Sequence, residues 1–476
     1  MKTVLISSEV TPYSRTGMLG DSVAGLAKGL RQNGVDTYVI SPMYLTVCAK
    51  EEQFSHECTV SVNSCGTEYP FEVYSVITGE IHMIFLRNDE LFGRRNIYGS
   101  GEFDYSDNDI RFGMFCLAAL EYIRQSGINP DIIHCHEWAT GLVPVYRNLF
   151  YEDIKSRMVF TAHDISYQGI FGKFSIQSMG LPWDVYNVEE LEYYEGISLL
   201  KGGMVHSDYI TVPSPTYSED IKTEEYSQGM GLLMANMAHK LEGILGGIDY
   251  EQFNPLDDKF LKALYCAENI DDKKINKQEF LNQTGLTDIE KPLFLVETKF
   301  TERKGLELIH ESAEELAGLN ANFAFLGYSD TQICSKFKEI ANTYDNMYTF
   351  IGISEMMTHL AYGSADFVLR PSLYEPSGNS HLKGMRYGAL PVVSKTGGHL
   401  DTVKDVTEPM GYGFFIEEYS RQELQKTINR AVDFFTDKTI LSECIGRAMQ
   451  IDFSWKSASA KYVELYRRLL GGSYER

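Results

Sequence analysis

Four short segments of this 476-residue chain hold residues whose types and spacing could do chemistry. In the first, the apolar run Phe367-Val368-Leu369 gives way to Arg370-Pro371-Ser372, then to a loop with a lone carboxylate, Glu375, and the breakers Pro376-Ser377-Gly378. A new helix can start at Ser380. A strand, a polar Gly-containing loop and a helix N-terminus make an anion site, because unpaired N–H groups and the macrodipole point into the loop. The backbone amides of Gly378, Asn379 and Ser380 would be its donors. In the second segment, Lys299, Arg303 and Lys304 follow a strand and precede a helix, which suits a diphosphate better than a solvated face. The third sets Arg15, Gly17, Met18, Gly20 and Asp21 ahead of a helix, a weak phosphate-loop signal when taken alone. The fourth is His163, at a strand end where an isolated histidine is most often a hydrogen-bonded structural group. His134-Cys135-His136 has metal-ligating residue types, but the ligand count of a closed site is missing around it, so no metal is assigned.

Strands must carry these segments, and the β/α pattern supplies them. A strand over 3–7, a helix over 21–34 and a strand over 37–40 form a βαβ opening. Residues 48–100 alternate like strands with hairpin breaks, and Gly99-Ser100-Gly101 marks a mobile loop. A helix over 109–126 turns Phe112, Phe115, Ala119 and Ile123 to the core. Strands follow over 131–134 and 158–162. The alternation restarts with strands over 292–296, 323–326, 348–351 and 367–369, a helix over 380–387 and a strand over 390–393. Helices over 421–436 and 454–470 close the chain. The class is α/β, with more than one domain.

Composition narrows the partners. Hydrophobic content of 43% and charged content of 23% are ordinary for a globular protein. A formal net charge of -23 excludes the basic face that non-specific nucleic-acid or anionic-membrane binding needs. The eight cysteines contain no CxxC pair, and no apolar run approaches the ~20 residues of a membrane span. No signal peptide is read at the N-terminus, so free thiols in a reducing, cytoplasmic compartment are expected.

Strand–EPxG–helix, followed by Arg386-Tyr387-Gly388 and Thr396-Gly397-Gly398, resembles the donor-site segment of the glycogen and starch synthases. Other segments resemble that family in order along nearly the whole chain. Ser14–Asp21 is similar to its KTGGLGD loop, His136-Glu137-Trp138 to its HDW turn, and His163–Gly169 to its HNxxYQG segment. The run 243–249 is similar to its GILNGID hinge, and 299–305 to its SRLxxQKG segment. The resemblance implies a GT-B fold of two facing Rossmann-like domains with a donor/acceptor cleft. Their expected extents are residues 1–245, with 457–476 crossing back, and 246–456.

The implied chemistry is retaining transfer of glucose from a nucleoside diphosphate glucose, ADP-glucose favoured over UDP-glucose, to the non-reducing end of an α-1,4-glucan. Glycogen or a maltooligosaccharide would be the acceptor, with no cofactor and no metal. By the resemblance, Lys299, Lys304 and Arg15 face the diphosphate, Glu375 positions the sugar, and His163 lies at the anomeric centre. Gly17, Met18, Asp21, Glu137, Gly246, Ile353, Ser377, Gly378, Asn379 and Ser380 complete the donor site.

The departures from the family pattern fall on this site. Arg15 replaces Lys, and Met18 replaces a Gly whose backbone freedom and close ligand approach a thioether obstructs. Glu137 replaces Asp and reads either as a helix cap or as a sugar contact. Asp164 replaces Asn, Gly246 replaces Asn, Lys299 replaces Arg, and Leu233 and Met234 replace an acidic residue and Gly. Ile353 stands where many relatives stack a Tyr on the base. Ser377, Asn379, Ser380 and His381 replace the polar set of CGLTQ. An active transferase with altered preference fits the retained charges. A glucan-binding or regulatory paralogue with weak or no catalysis fits Met18 and Gly246, and a phosphorylase fits least.

Overall fold

The computed structural model describes residues 1–48, 53–100, 103–329 and 332–471. The chain divides into two compact units, Met1–Gly247 joined by the chain from Trp455 onward, and Ile248–Ser454.

The first unit is built on a nine-stranded sheet. Its seven parallel strands run, in spatial order, Leu241–Gly243, Tyr209–Val212, Arg157–Thr161, Ile132–His136, Lys2–Ser7, Asp36–Pro42 and Ile81–Arg87. Their near-continuous apolar character follows from burial on both faces; Val4, Leu5 and Ile6 are wholly buried. Thr67–Thr78 and Ser55–Ser64 add an antiparallel edge, so the alternating region becomes hairpins over 55–87, while residues 49–52 lie outside the described residues. Gly99–Ser100 pairs with Phe103–Asp104, while Gly101 lies outside the described residues. The chain winds outward from Lys2–Ser7 in one direction, then restarts beside it at Ile132–His136 in the other. At such a switch point the loops beyond the strands' C-terminal ends part and leave room for a ligand.

The helix Met18–Gln32 begins three residues earlier than the sequence predicts. It packs on the last helix, Trp455–Leu469, at glycine-scale distance. A Cβ at Gly25 would lie 2.0 Å from the Trp455 ring, and one at Gly29 2.3 Å from the Trp455 carbonyl oxygen. Asn33 ties the same two helices together, donating to Lys456 O at 2.9 Å and Ser459 Oγ at 2.9 Å.

The second unit is a six-stranded, wholly parallel sheet in the order Met347–Ile351, Asn322–Tyr328, Leu293–Lys299, Phe367–Arg370, Leu390–Ser394, Phe414–Ile416. It too has a switch point, between Leu293–Lys299 and Phe367–Arg370. Leu293–Lys299 runs three residues past the predicted strand, which places Glu297 and Lys299 on the strand itself. All eight cysteines are unpaired.

Candidate active site

In the second unit, the loops after Leu293–Lys299 and Phe367–Arg370 meet at the switch point. Glu375 is buried, and the carboxylate that reads as solitary in sequence has partners on both oxygens. Lys304 Nζ donates to both of its oxygens at 2.7 Å, Arg370 Nη2 donates to Oε2 at 3.0 Å and Ser372 Oγ at 3.1 Å. Burial works to raise the Glu375 pKa, but the Lys304 and Arg370 cations outweigh it and hold the carboxyl well below the usual range. Burial pushes the Lys304 ammonium down to about 8 against the pull of Glu375, so the pair is ionised at neutral pH. Lys304 is therefore ion-paired with Glu375, a partner the sequence does not announce. Lys299 is exposed and has no ionic or hydrogen-bonded partner among the described residues.

Gly378 adopts φ +81°, a conformation that only glycine takes without strain, and a Cβ there would meet Glu375 Cγ at 3.0 Å and His399 Nε2 at 3.1 Å. The Thr396-Gly397-Gly398 turn approaches the loop backbone to backbone, with Gly398 N donating to Glu375 O at 3.0 Å. The helix that follows, Ser380–Arg386, is preceded by Asn379, whose side chain does not cap it. Ser377 Oγ reaches only Asn379 Oδ1, at 3.4 Å. Ser380 turns away from the loop, and its Oγ donates towards Glu297 O and Oε2, each at 3.0 Å. Ile353 is 81% exposed beyond the end of Met347–Ile351.

Sequence reasoning gave no role to Glu297, Arg370 or His399 and named His381 only as a substitution in the loop. Glu297 accepts from Tyr362 OH at 2.8 Å, and its carbonyl accepts from Arg370 Nη1 at 2.9 Å. His381 and His399 lie edge to face with ring centroids 4.9 Å apart, both buried. Arg370 reads in sequence as a strand terminator; its value as a buried cation appears only once Glu375 is beside it.

The first unit gathers its candidates beyond Lys2–Ser7, Ile132–His136 and Arg157–Thr161. Arg15 pairs with Asp21 at 3.0 Å, and Thr11 Oγ1 donates to the other oxygen of Asp21 at 2.7 Å. Glu9, also missed, is buried and orders the loop, accepting from Thr16 N at 2.5 Å and Tyr98 OH at 2.8 Å. Gly17 precedes the helix at φ -153° and ψ -145°, outside the ordinary extended region. Met18 is the first helical residue and lacks positive φ, so the conformational cost expected of it is not incurred. Its side chain is 43% exposed.

Glu137 has φ 66° and ψ 169°, a region that is essentially glycine's and costs of order 1–3 kcal/mol for other residues. Its side chain does not cap the helical turn Trp138–Thr140, so that reading is corrected. Instead Oε1 accepts from His163 N at 2.6 Å and Asp164 N at 3.0 Å, while Oε2 is buried without a partner. Burial, reinforced by the neighbouring Asp164 charge, lifts this carboxyl to about 8. Asp164 itself accepts from Ser166 N and Oγ at 3.1 and 2.6 Å. His163 Nε2 is 3.2 Å from His136 Nδ1. Burial lowers His163 to about 4 and His136 well below the ordinary value, so both rings are neutral. Gly246 is beside Trp455, where a Cβ would make ordinary contact at 3.4 Å. The first unit thus offers a buried neutral carboxyl and two neutral imidazoles beside an exposed Arg15–Asp21 ion pair, and the second a buried ion cluster.

Comparison with known proteins places this arrangement. Residues 2–236 match the starch synthase catalytic domain, and residues 277–434 match the glycosyl transferases group 1 family. A glycogen synthase of Aquifex aeolicus is 38% identical over 470 residues, covering 98% of this chain and 99% of its own. One from Thermodesulfovibrio yellowstonii is 33% identical over 492 residues, covering 99% and 98%. The catalytic domain of starch synthase IV from Arabidopsis thaliana, solved bound to ADP and acarbose, superposes with a TM-score of 0.91 at 30% identity, covering 98% of this chain and 99% of its own. Sucrose-phosphate synthase of Thermosynechococcus elongatus shares the fold, with a TM-score of 0.62 at 17% identity. With two Rossmann-like parallel-sheet units of the GT-B class and this similarity over its whole length, the chain belongs to the glycogen and starch synthase family, retaining glucosyltransferases that build glucan.

Proposed function

We propose that the chain transfers glucose, with retention, from a nucleoside diphosphate glucose to the 4-hydroxyl at the non-reducing end of an α-1,4-glucan, glycogen or a maltooligosaccharide serving as acceptor. ADP-glucose is the favoured donor, a preference supported by the ADP-bound starch synthase relative. The observation that carries the reading is the buried Glu375–Lys304–Arg370 cluster at the second unit's switch point. It keeps a carboxylate ionised and immobile beside cations, a preorganised field for a leaving diphosphate as its charge develops.

In this reading Glu375 accepts hydroxyls of the donor sugar, and its cations fix its orientation. Lys299 and Arg15 contact the diphosphate, with the Gly378–Ser380 amides assisting. Arg15 would exchange its exposed bond to Asp21 for phosphate, and such a pair is worth at most about 1 kcal/mol. Glu137 and His163 line the sugar side, and Gly17, Met18, Asp21, Gly246, Ile353, Ser377 and Asn379 border the donor. Displacement occurs on the face the diphosphate leaves, and the departing phosphate takes the acceptor's proton. No metal or cofactor takes part. The compartment is the cytoplasm, supported by eight unpaired cysteines and by the lack, among the described residues, of a helix long and apolar enough to cross a membrane.

The test is nucleoside diphosphate release from ADP-glucose and from UDP-glucose, with and without glycogen. Acceptor-dependent release from one donor supports the reading and names the base. No release from either, by protein that still binds glucan, would make the chain a glucan-binding paralogue.

A further inference from the structure

The strand Ile132–His136 buries two imidazoles that the proposed chemistry does not use. His134 is spent on structure. Its Nδ1 is 2.6 Å from Tyr466 OH, on the last helix, and its Nε2 is 2.6 Å from Thr161 Oγ1. Its ring lies tilted against that of His136, centroids 4.2 Å apart, and His136 in turn stacks on His163 at 5.4 Å. Among the described residues His136, 1% exposed, has one hydrogen bond from its ring, Nδ1 to His163 Nε2 at 3.2 Å, and its buried Nε2 has no partner.

A neutral imidazole has one N–H and one bare nitrogen, so the two rings have only two ways to share this bond. If His136 Nδ1 accepts, its N–H is stranded on buried Nε2. If Nδ1 donates, only a bare acceptor is stranded there, and buried orphan donors are the rarer defect. Donation by His136 leaves His163 Nε2 as the acceptor and puts the His163 proton on Nδ1, the nitrogen that faces away from His136. We propose that His136 is a positioning residue that holds His163 as the Nδ1–H tautomer, so that His163 presents a donor, not an acceptor, to a hydroxyl of the donor sugar. The sugar half of this statement rests on the placement of His163 proposed above; the tautomer half does not.

The two halves are read separately. In full-length protein labelled with 15N-histidine, with the His163 signals identified by their loss in His163→Gln, two-bond nitrogen–proton correlations report the tautomer. The wild type is expected to show protonated Nδ1 at His163. His136→Leu removes the donor and lets Nε2–H, the form favoured by free imidazole, take over. His136→Asn returns an amide N–H close to the place of Nδ1 and is expected to restore the Nδ1–H form. Turnover in His136→Leu should fall roughly tenfold, the scale of one hydrogen bond, with donor KM within about threefold and most of the loss recovered in His136→Asn. A wild-type His163 protonated on Nε2 overturns the proposal, as does an Asn variant no better than Leu. A tautomer that shifts while turnover holds removes His163 from the sugar and the reaction role with it. Should the Leu variant not fold, the wild-type spectrum and the Asn variant decide.

Discussion

Each unit of this protein buries a glutamate at the switch point of its sheet, and the two are treated in opposite ways. Glu375 is surrounded by cations and kept ionised. Glu137 meets only backbone N–H groups, has a negative neighbour in Asp164, and is protonated at neutral pH. Desolvation acts on both; the available counter-charge decides the outcome. A site that must meet a diphosphate can keep a carboxylate only where positive charge already balances it. Elsewhere the same residue type has to be neutral.

The strongest way to break this comparison is to remove the balance. Lys304→Ala and Glu375→Ala should each lower turnover by about 100-fold or more. Lys304→Ala should also cost about 3–5 kcal/mol in urea unfolding, because it leaves a buried charge short of its partner. Near-normal rates in either variant would sink the assignment of this cluster.

A pH series separates the two carboxyls by sign. The folded-state pKa of Glu137 is raised, so the native state holds its proton more tightly than the unfolded chain does. Its contribution is complete below the ordinary value of 4.5 and is lost as pH climbs to about 8. Glu375, whose pKa is lowered, contributes above its ordinary value and loses that contribution as acid drives pH towards its depressed folded value. Relative to wild type, Glu137→Gln should therefore remove a decline on the order of a few kcal/mol between those limits. Glu375→Gln should change the acid limb and, because Glu375 supports the charge of Lys304, the alkaline limb as well. Parallel curves for Glu137→Gln and wild type would mean that Glu137 is already ionised.

Asp164→Asn sharpens the same contrast more gently. It removes the charge that helps hold Glu137 neutral, lowers the upper end of the window, and should reduce donor KM two- to fivefold, the scale of one partly exposed charge. The smallest effect is expected of Met18→Gly. The residue has ordinary helical backbone and a half-exposed side chain, so KM should move less than about threefold while stability falls by up to about 1 kcal/mol. A tenfold gain in donor affinity would instead make the thioether an obstruction.

The sequence was most legible where chemistry is local. Short apolar runs followed by Gly, Pro and polar residues gave four strands of the first sheet and five of the six in the second to within a few residues, because burial on both faces leaves a strand no other composition, while Tyr209–Val212, Leu241–Gly243 and Phe414–Ile416 were not read as strands. Arg15 and Asp21, six positions apart, could be placed in one loop. Lys304 could not be assigned to Glu375, since 71 residues separate them and only the strand order of the sheet brings them together. Glu297 stayed hidden for a related reason, and His136 was noticed only for its residue type and its place in the HDW-like turn, not for its contact with His163. Each is on a strand, where a polar residue reads as an irregularity until its cross-strand neighbours are known. Glu137 resisted because its backbone occupies a glycine region that no side-chain pattern announces.

The contact between Met18–Gln32 and Trp455–Leu469 sets an order of assembly. Asn33 and Ser459 are 426 positions apart, so the first helix emerges from the ribosome long before its packing partner exists. The second unit, continuous from Ile248 to Ser454, has all its strands in hand earlier than the first sheet can bury its outer helix face. Vectorial synthesis, which ordinarily lets the N-terminal domain fold first, here leaves Gly25 and Gly29 uncovered until Trp455 has been made, and a ribosome that stalls before Trp455 releases a chain whose opening domain lacks the helix that packs on them.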